Sequence, residues 1–475
     1  MFAQREETDV FVVGGGPAGL AAAIAARQRG LSVTLADGSE PPIDKPCGEG
    51  LMPETLEALG ALGIRLPAGV GQKFRGIQFI ERDLRAAADF PEGLGIGIRR
   101  PLLHELLAQK AKESGVRLLW NTPVSGVSAE GVRVAGRVVP ARWILGADGA
   151  GSRIRKWSGL EANRGRARRY ATRRHYRVRP WADRVEIHWG ERAQAYVTPI
   201  SGEEVCIVMI ARQAEDAHFE QALAGMPELA ERISRAGQGS RERGAITLMH
   251  ALRRVSVGNV ALVGDASGGV DAITGEGMHL TFRQATAVAA AIARGELRSY
   301  EEAHRRMLLR PMWMGKLILQ MSRRAKLRGR MLGIFAENPK LFAQLLSLHV
   351  GQATPGRVLS TGAQLGWEFL AARKARERHA NFKLEIIRYD PGRHRGDCHF
   401  SVGDRGSAEV TASRAGERAG NCAHARSGAD KAAVDRRQLA AYGARNLCGK
   451  ERYHPLGSRD RQGRRRSDCA GHERR

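Results

Sequence analysis

The sequence predicts an α/β protein in which a parallel-sheet domain, assembled from separated stretches of chain, carries an inserted antiparallel sheet and is followed by helices and a basic tail. Three observations predict it. The first forty residues read as apolar strand, Ala-rich helix and apolar strand; residues 170–210 alternate as half-buried antiparallel strands do; and a buried strand with a long helix behind it returns at 260–293.

Taken in order, residues 9–13 form a short apolar strand running into Gly14, residues 20–29 a helix, and residues 31–36 a second strand, which together make a βαβ unit. Residues 101–114 have helical spacing of Leu103, Leu106 and Leu107, and strands follow at 116–120, 132–139 and 143–145. The alternation at 184–189 and 205–210, with turns at Trp189-Gly190 and Ser201-Gly202, marks the inserted sheet. A strand at 260–263 and a helix over 275–293 rejoin the first domain. This divides the chain into a nucleotide-binding part (1–66, 95–165 and 250–300), a sheet part (67–94 and 166–249), a helical segment (301–385) and a tail (386–475). In the helical segment an apolar stripe at 307–321 runs beside Arg305, Arg306, Arg310 and Lys316. It suits packing on the body, an apolar entrance, or peripheral contact with a membrane.

With 475 residues and 57 glycines the chain suits a two- or three-domain globular enzyme rich in tight turns. The formal charge of +26 raises nucleic acid or anionic lipid as a partner. From Arg388 onward 18 Arg and 2 Lys face 11 acids, so a disproportionate share of the charge lies in a Gly, Arg, Ala and Ser mixture without periodicity, expected to lack order. We expect no specific nucleic-acid partner. Four of six cysteines (Cys398, Cys422, Cys448 and Cys469) also lie there, so a disulfide scaffold is not expected. The first ten residues are polar and no window reaches the length of a membrane span, so a cytoplasmic location is expected.

Gly14, Gly16 and Gly19 form a GxGxxG, with Ala18 inside it, between a strand and a helix. The first glycine permits the turn, the second lets backbone approach a pyrophosphate, and the third lets helix and strand touch. Asp37 closes the second strand where an acid can accept from ribose hydroxyls, so the unit reads as a Rossmann-like dinucleotide site. Two later segments decide between nicotinamide and flavin. Residues 146–155 read GADGAGSRIR after a strand, and Val263, Gly264, Asp265 and Ala266 end another, followed by DAITGEG at 271–277 before a helix.

These three motifs, in this order over residues 9–293, resemble the flavoprotein family that includes para-hydroxybenzoate hydroxylase, the flavin-dependent halogenases and the geranylgeranyl reductases. The resemblance implies FAD as cofactor and NAD(P)H as electron donor. It implies that Asp265 bonds the ribityl chain, that Gly275 and Gly277 face the flavin ring, that Asp148 with Gly149 and Arg155 contacts FAD and NAD(P)H, and that Arg100 contacts FAD oxygens. A turn or buried salt bridge is the alternative for Asp148, and a solvated helix start for Arg100. Backbone N–H groups and the positive helix end at 275–278 also suit the negative charge of a reduced flavin, on physical grounds alone.

Residues 44–53, DKPCGEGLMP, depart from the hydroxylases and resemble the geranylgeranyl reductases. Cys47 could donate a proton, act as a redox thiol, or simply pack. Glu49 is a candidate catalytic acid or a turn residue. In the sheet part, His188, Tyr196, Thr198 and Pro199 are candidate substrate contacts, while Arg173, Arg174 and His175 could recognise an acidic substrate or form a solvated face. Ala195 to Ile200 carry neither the halogenases' WxWxIP nor the reductases' YxWxFP. Histidines lack paired spacing and no metal is expected. The expected reaction is hydroxylation of a small aromatic or polyketide-like substrate with NAD(P)H and O2; saturation of an isoprenoid or other alkene is the alternative, and a tail that holds RNA or lipid a third reading.

Overall fold

The computed structural model describes residues 8–161, 168–354, 356 and 359–368. The tail at 386–475, its four cysteines, and the end of the 301–385 segment lie outside the described residues. The chain folds as an α/β protein with two large sheets. In the first, Val260–Leu262, Arg137–Gly146, Thr8–Val13, Val33–Ala36 and Arg117–Leu119 run parallel in that order. Thr8–Val13 is central because it is apolar on both faces, as a strand covered from both sides must be. The strand expected at 132–139 is two: Gly131–Val134 turns at Ala135 and Gly136 and pairs antiparallel with the start of Arg137–Gly146. Valines on both sides of Ala135 and Gly136 hid the reversal, which turns on positive φ at both of these residues, one of them not a glycine.

Helix Pro17–Arg27 opens on Pro17, whose missing N–H costs nothing at a first turn. Its Ala-rich body is buried all round, between the sheet and the helix Gly277–Ala293. Small side chains are what let two helices and a strand stack this closely.

The second sheet draws on two separated stretches. The hairpin of Gly76–Glu81 and Leu84–Asp89 joins Val185–Trp189 in parallel, and Ala193–Ser201, Glu204–Ala211, Arg168–Arg177 and Arg243–Leu248 continue it antiparallel. Both faces are covered. Helices Phe219–Ala224 and Pro227–Ile233 pack with Ala195, Val197 and Ile207 on one; the C-terminal helices Ala325–Glu337 and Pro339–Val350 pack with Phe79, Ile187 and Ile210 on the other. The stripe expected over 307–321 lies within one long helix, Arg298–Arg323. No helix among the described residues is long and apolar enough to cross a membrane.

Candidate functional site

The three N-terminal glycines occupy distinct places. Gly14 turns with φ +110°, and a Cβ there would lie 2.5 Å from the Ala147 carbonyl oxygen. A Cβ on Gly19 would lie 1.8 Å from the Gly14 carbonyl oxygen, so helix and turn are in backbone contact. On Gly16 it would meet nothing within 4 Å, because that residue faces a cavity. Ala18 fills the space beneath Gly264, where a Cβ would come 2.6 Å from its own. The Gly15 N–H donates to Asp37 at 2.6 Å, and His104 bonds the Gly15 carbonyl at 2.8 Å. A carbonyl only accepts, so the His104 ring donates; burial lowers its pKa and keeps it neutral for that role. His104 was not legible as part of the site, being one of several scattered histidines.

One cavity of about 780 Å³ continues from this turn. Gly14, Gly16, Ala18, Asp37, Arg100, Asp148 and Asp265 all line it, together with Gly275, Gly277 and Met278 where the helix Gly277–Ala293 begins. The Arg100 Nε is buried without a hydrogen-bond partner, and its Nη1 reaches only the Met278 sulfur at 3.7 Å. An unpartnered buried guanidinium nitrogen beside a glycine turn and two helix N-termini fits the phosphates and hydroxyls of an extended dinucleotide. Asp265 lies in the same groove, bridged to Lys45 at 3.2 Å, with both side chains about half exposed. In the sequence Lys45 is only one letter of DKPCGEGLMP, because its partner is 220 residues away.

Gly275 closes the turn Ala272–Thr274 in the left-handed conformation, and the long helix starts at Gly277, two residues later than its spacing predicts. Asp271 caps the turn by accepting from the Ile273 N–H at 3.0 Å, and it is held by Arg169 at 2.9 Å in a buried ion pair. Asp148 likewise caps a turn: its carboxylate accepts from the Arg153 and Ile154 N–H groups at 2.6 and 3.1 Å and from the Ser152 hydroxyl. Arg155, buried, donates to the carbonyls of Ala266 and Ala150. It ties this motif to the Gly264–Ala266 turn, while the backbone from Ala147 to Ala150 walls the groove.

The loop at 44–50 is fastened from beneath. Glu49, at φ +59°, accepts from the Arg100 N–H and Arg173, each at 3.0 Å, and from His175 at 2.8 Å. Arg173 also bridges Asp44 at 2.9 Å. Glu49, Arg173 and His175 are fully buried, so Glu49 is a strut rather than a free acid, and Arg173 and His175 face neither substrate nor solvent. Arg174, on the other parity of the strand, pairs outward with Glu220 and Glu242. Glu49, His175 and Cys206 bring their ligand atoms within 4.8 Å of one another, but the Arg173 guanidinium already supplies the positive charge on that carboxylate. Cys47 lines the cavity, its sulfur 3.4 Å from the Glu49 N–H; Cys206 is buried, which pushes its thiol pKa well up.

Of the candidate substrate contacts, Tyr196 and Thr198 line the cavity, the tyrosine hydroxyl donating to the Ile273 carbonyl at 3.0 Å. His188 and Pro199 do not. They lie on the opposite parity of their strands, where His188 bonds Glu186 at 2.9 Å. Beyond Tyr196 the cavity becomes an apolar chamber between the sheet (Phe79, Ile187, Ile210) and the C-terminal helices (Met314, Phe335, Phe342).

Beneath the start of the helix Gly277–Ala293, Glu54 is buried with both carboxylate oxygens unpartnered, and desolvation together with the charge of Glu276 raises its pKa to about 7. Since that lies above the ordinary 4.5, the native chain keeps a proton that the unfolded chain releases, and stability is lost as pH rises from 4.5 through 7. Relative to Glu54→Gln, the wild type should lose about 3 kcal/mol between these limits, read by urea melts at several pH values. A difference independent of pH would contradict the assignment.

A family profile for an FAD binding domain matches residues 7–299. Menaquinone reductase from Mycobacterium tuberculosis is 27% identical over 299 residues, covering 58% of this chain and 73% of the relative. The 6-methylpretetramide 4-monooxygenase of Streptomyces rimosus is 33% identical over 180 residues, 34% of this chain and 43% of the relative. Among solved structures, a flavoprotein/dehydrogenase from Cytophaga hutchinsonii superposes with a TM-score of 0.62 at 20% identity, covering 72% of this chain and 93% of that one.

Proposed function

The chain belongs to the FAD-binding domain family and is an FAD-dependent oxidoreductase, and from that premise we propose that it is an NAD(P)H-dependent monooxygenase that hydroxylates an activated aromatic or polyketide-like ring carrying an apolar tail. The observation that carries this reading is the chamber. It is continuous with the cofactor groove, it is apolar on both walls, and the Tyr196 hydroxyl within it is already bonded to a carbonyl.

Bound FAD would supply the electron transfer from NAD(P)H and the activation of O2. The chain's own residues do the rest. Gly14, Gly16 and Asp37 would hold the adenylate half, Arg100 and Asp265 the phosphates and ribityl hydroxyls, and the N–H groups at 275–278 would stabilise the charge of the reduced ring. The Arg169–Asp271 pair positions that turn. Phe79, Ile210 and Phe342 exclude water from the chamber and offer an apolar rather than an ionic contact to a substrate there.

Cys47 favours a second reading, reduction of an alkene in an isoprenoid lipid, because its sulfur lines the cavity beside the resemblance that residues 44–53 bear to reductases. Product analysis under labelled oxygen separates the two. Hydroxylation requires O2 and adds one labelled oxygen; reduction proceeds without O2 and adds two hydrogens, and this result would displace the monooxygenase reading. Under that reading Cys47→Ala should retain flavin and lower turnover by no more than about threefold; a loss on the order of a hundredfold would make Cys47 the proton donor.

A further inference from the structure

The helix Arg298–Arg323 has two faces in different surroundings. Met314, Leu317, Ile318 and Met321 line the chamber. One turn apart on the other side, Leu309 is 67% and Trp313 55% exposed. Such side chains, left in water together on a 26-residue helix, mark a surface that meets something apolar. Their neighbours define what it is. Arg305 and Arg306 precede them, and Lys316, Arg323, Arg324 and Lys326 follow, all exposed. Apart from Arg306, which approaches Glu302 at 4.0 Å, none of these cations pairs with an acid among the described residues.

An aliphatic and an indole group framed by unpaired cations at both ends is the pattern of a helix that lies in a bilayer interface. The apolar groups enter the boundary between headgroups and acyl chains, and the cations meet lipid phosphates. A nucleic acid would use the cations and leave Leu309 without a role. We infer that this face docks on an anionic lipid bilayer. The inference deepens the proposed reading and rests on it for its purpose: a substrate with an apolar tail would pass from the membrane into the chamber around a single helix.

The test uses the full-length holoenzyme in flotation with vesicles of phosphatidylcholine, with and without phosphatidylglycerol. Two double variants are compared, Leu309→Glu with Trp313→Glu and Arg305→Glu with Lys316→Glu. None of the four residues lines the cavity, so flavin content should match the wild type and report that each variant is folded. The wild type is expected to float with the anionic vesicles, and each double variant to lose on the order of tenfold in bound fraction. Three results would overturn the inference: no flotation of the wild type, flotation that survives the Leu309 and Trp313 changes, or sensitivity to the charge changes alone, which marks a general polyanion surface. Flotation reads no turnover, so its outcome stands whichever product the reaction assay gives.

Discussion

Gly16→Val is expected to yield a folded, colourless protein, and Gly19→Val a protein that fails to reach native stability at all. The two differ in what surrounds them. At Gly16 the backbone is extended, with φ −69° and ψ 177°, and an added side chain meets only the cavity, so the fold has no reason to suffer while the cofactor loses the room it needs. Affinity for FAD should fall by about a hundredfold or more, since backbone approach to the pyrophosphate is what a side chain there prevents. At Gly19 the first added carbon already falls 1.8 Å from a backbone oxygen that cannot swing aside. Helix Pro17–Arg27 would have to leave the sheet, at a cost of about 4 kcal/mol or more. Flavin titration of each variant, with urea melts of the apoproteins, separates the two effects; a Gly16→Val protein that binds FAD normally would remove the glycine turn from the site.

The second large effect is expected at Arg173. Its guanidinium holds two carboxylates, Asp44 and Glu49, and the latter is entirely buried. Taking the cation away leaves Glu49 charged with only His175 and one backbone N–H, a situation that costs about 3–5 kcal/mol. Arg173→Met should therefore lose stability on that scale and loosen the loop at 44–50, which carries Lys45 and Cys47. Adding Glu49→Gln should recover part of the loss, because the stranded charge goes with it. A decrease below about 1 kcal/mol in Arg173→Met would show that the network is not a strut.

The cofactor site was legible where geometry dictates residue type. Only glycine fits at Gly14 and Gly19, so backbone contact is written directly into the sequence. Asp148 was not legible in the same way, because an acid before glycine serves equally as a turn cap or a ligand, and only the positions of the Arg153 and Ile154 N–H groups tell which is built. The inserted sheet was predicted, but the parity of its strands was not. Ala193–Ser201 is buried along nearly its whole length because helices cover both faces, so alternation carries no label for the side that meets the cavity. His188 and Pro199 were assigned to the cavity for that reason and lie on the opposite parity of their strands. Arg173 and His175 looked like a polar face for an analogous reason: their partners in the 44–50 loop are more than a hundred residues away.

On the proposed reading one groove grips the whole dinucleotide, the glycine turn and Asp37 holding one half and Arg100, Asp265 and the helix at Gly277 the other. Titration of the apoprotein with FAD and with FMN, followed by flavin fluorescence, tests it most directly. FAD should bind at one per chain and FMN, which lacks the adenylate half, at least about a hundredfold more weakly. Equal affinity for the two flavins, or no binding of either, would contradict the account.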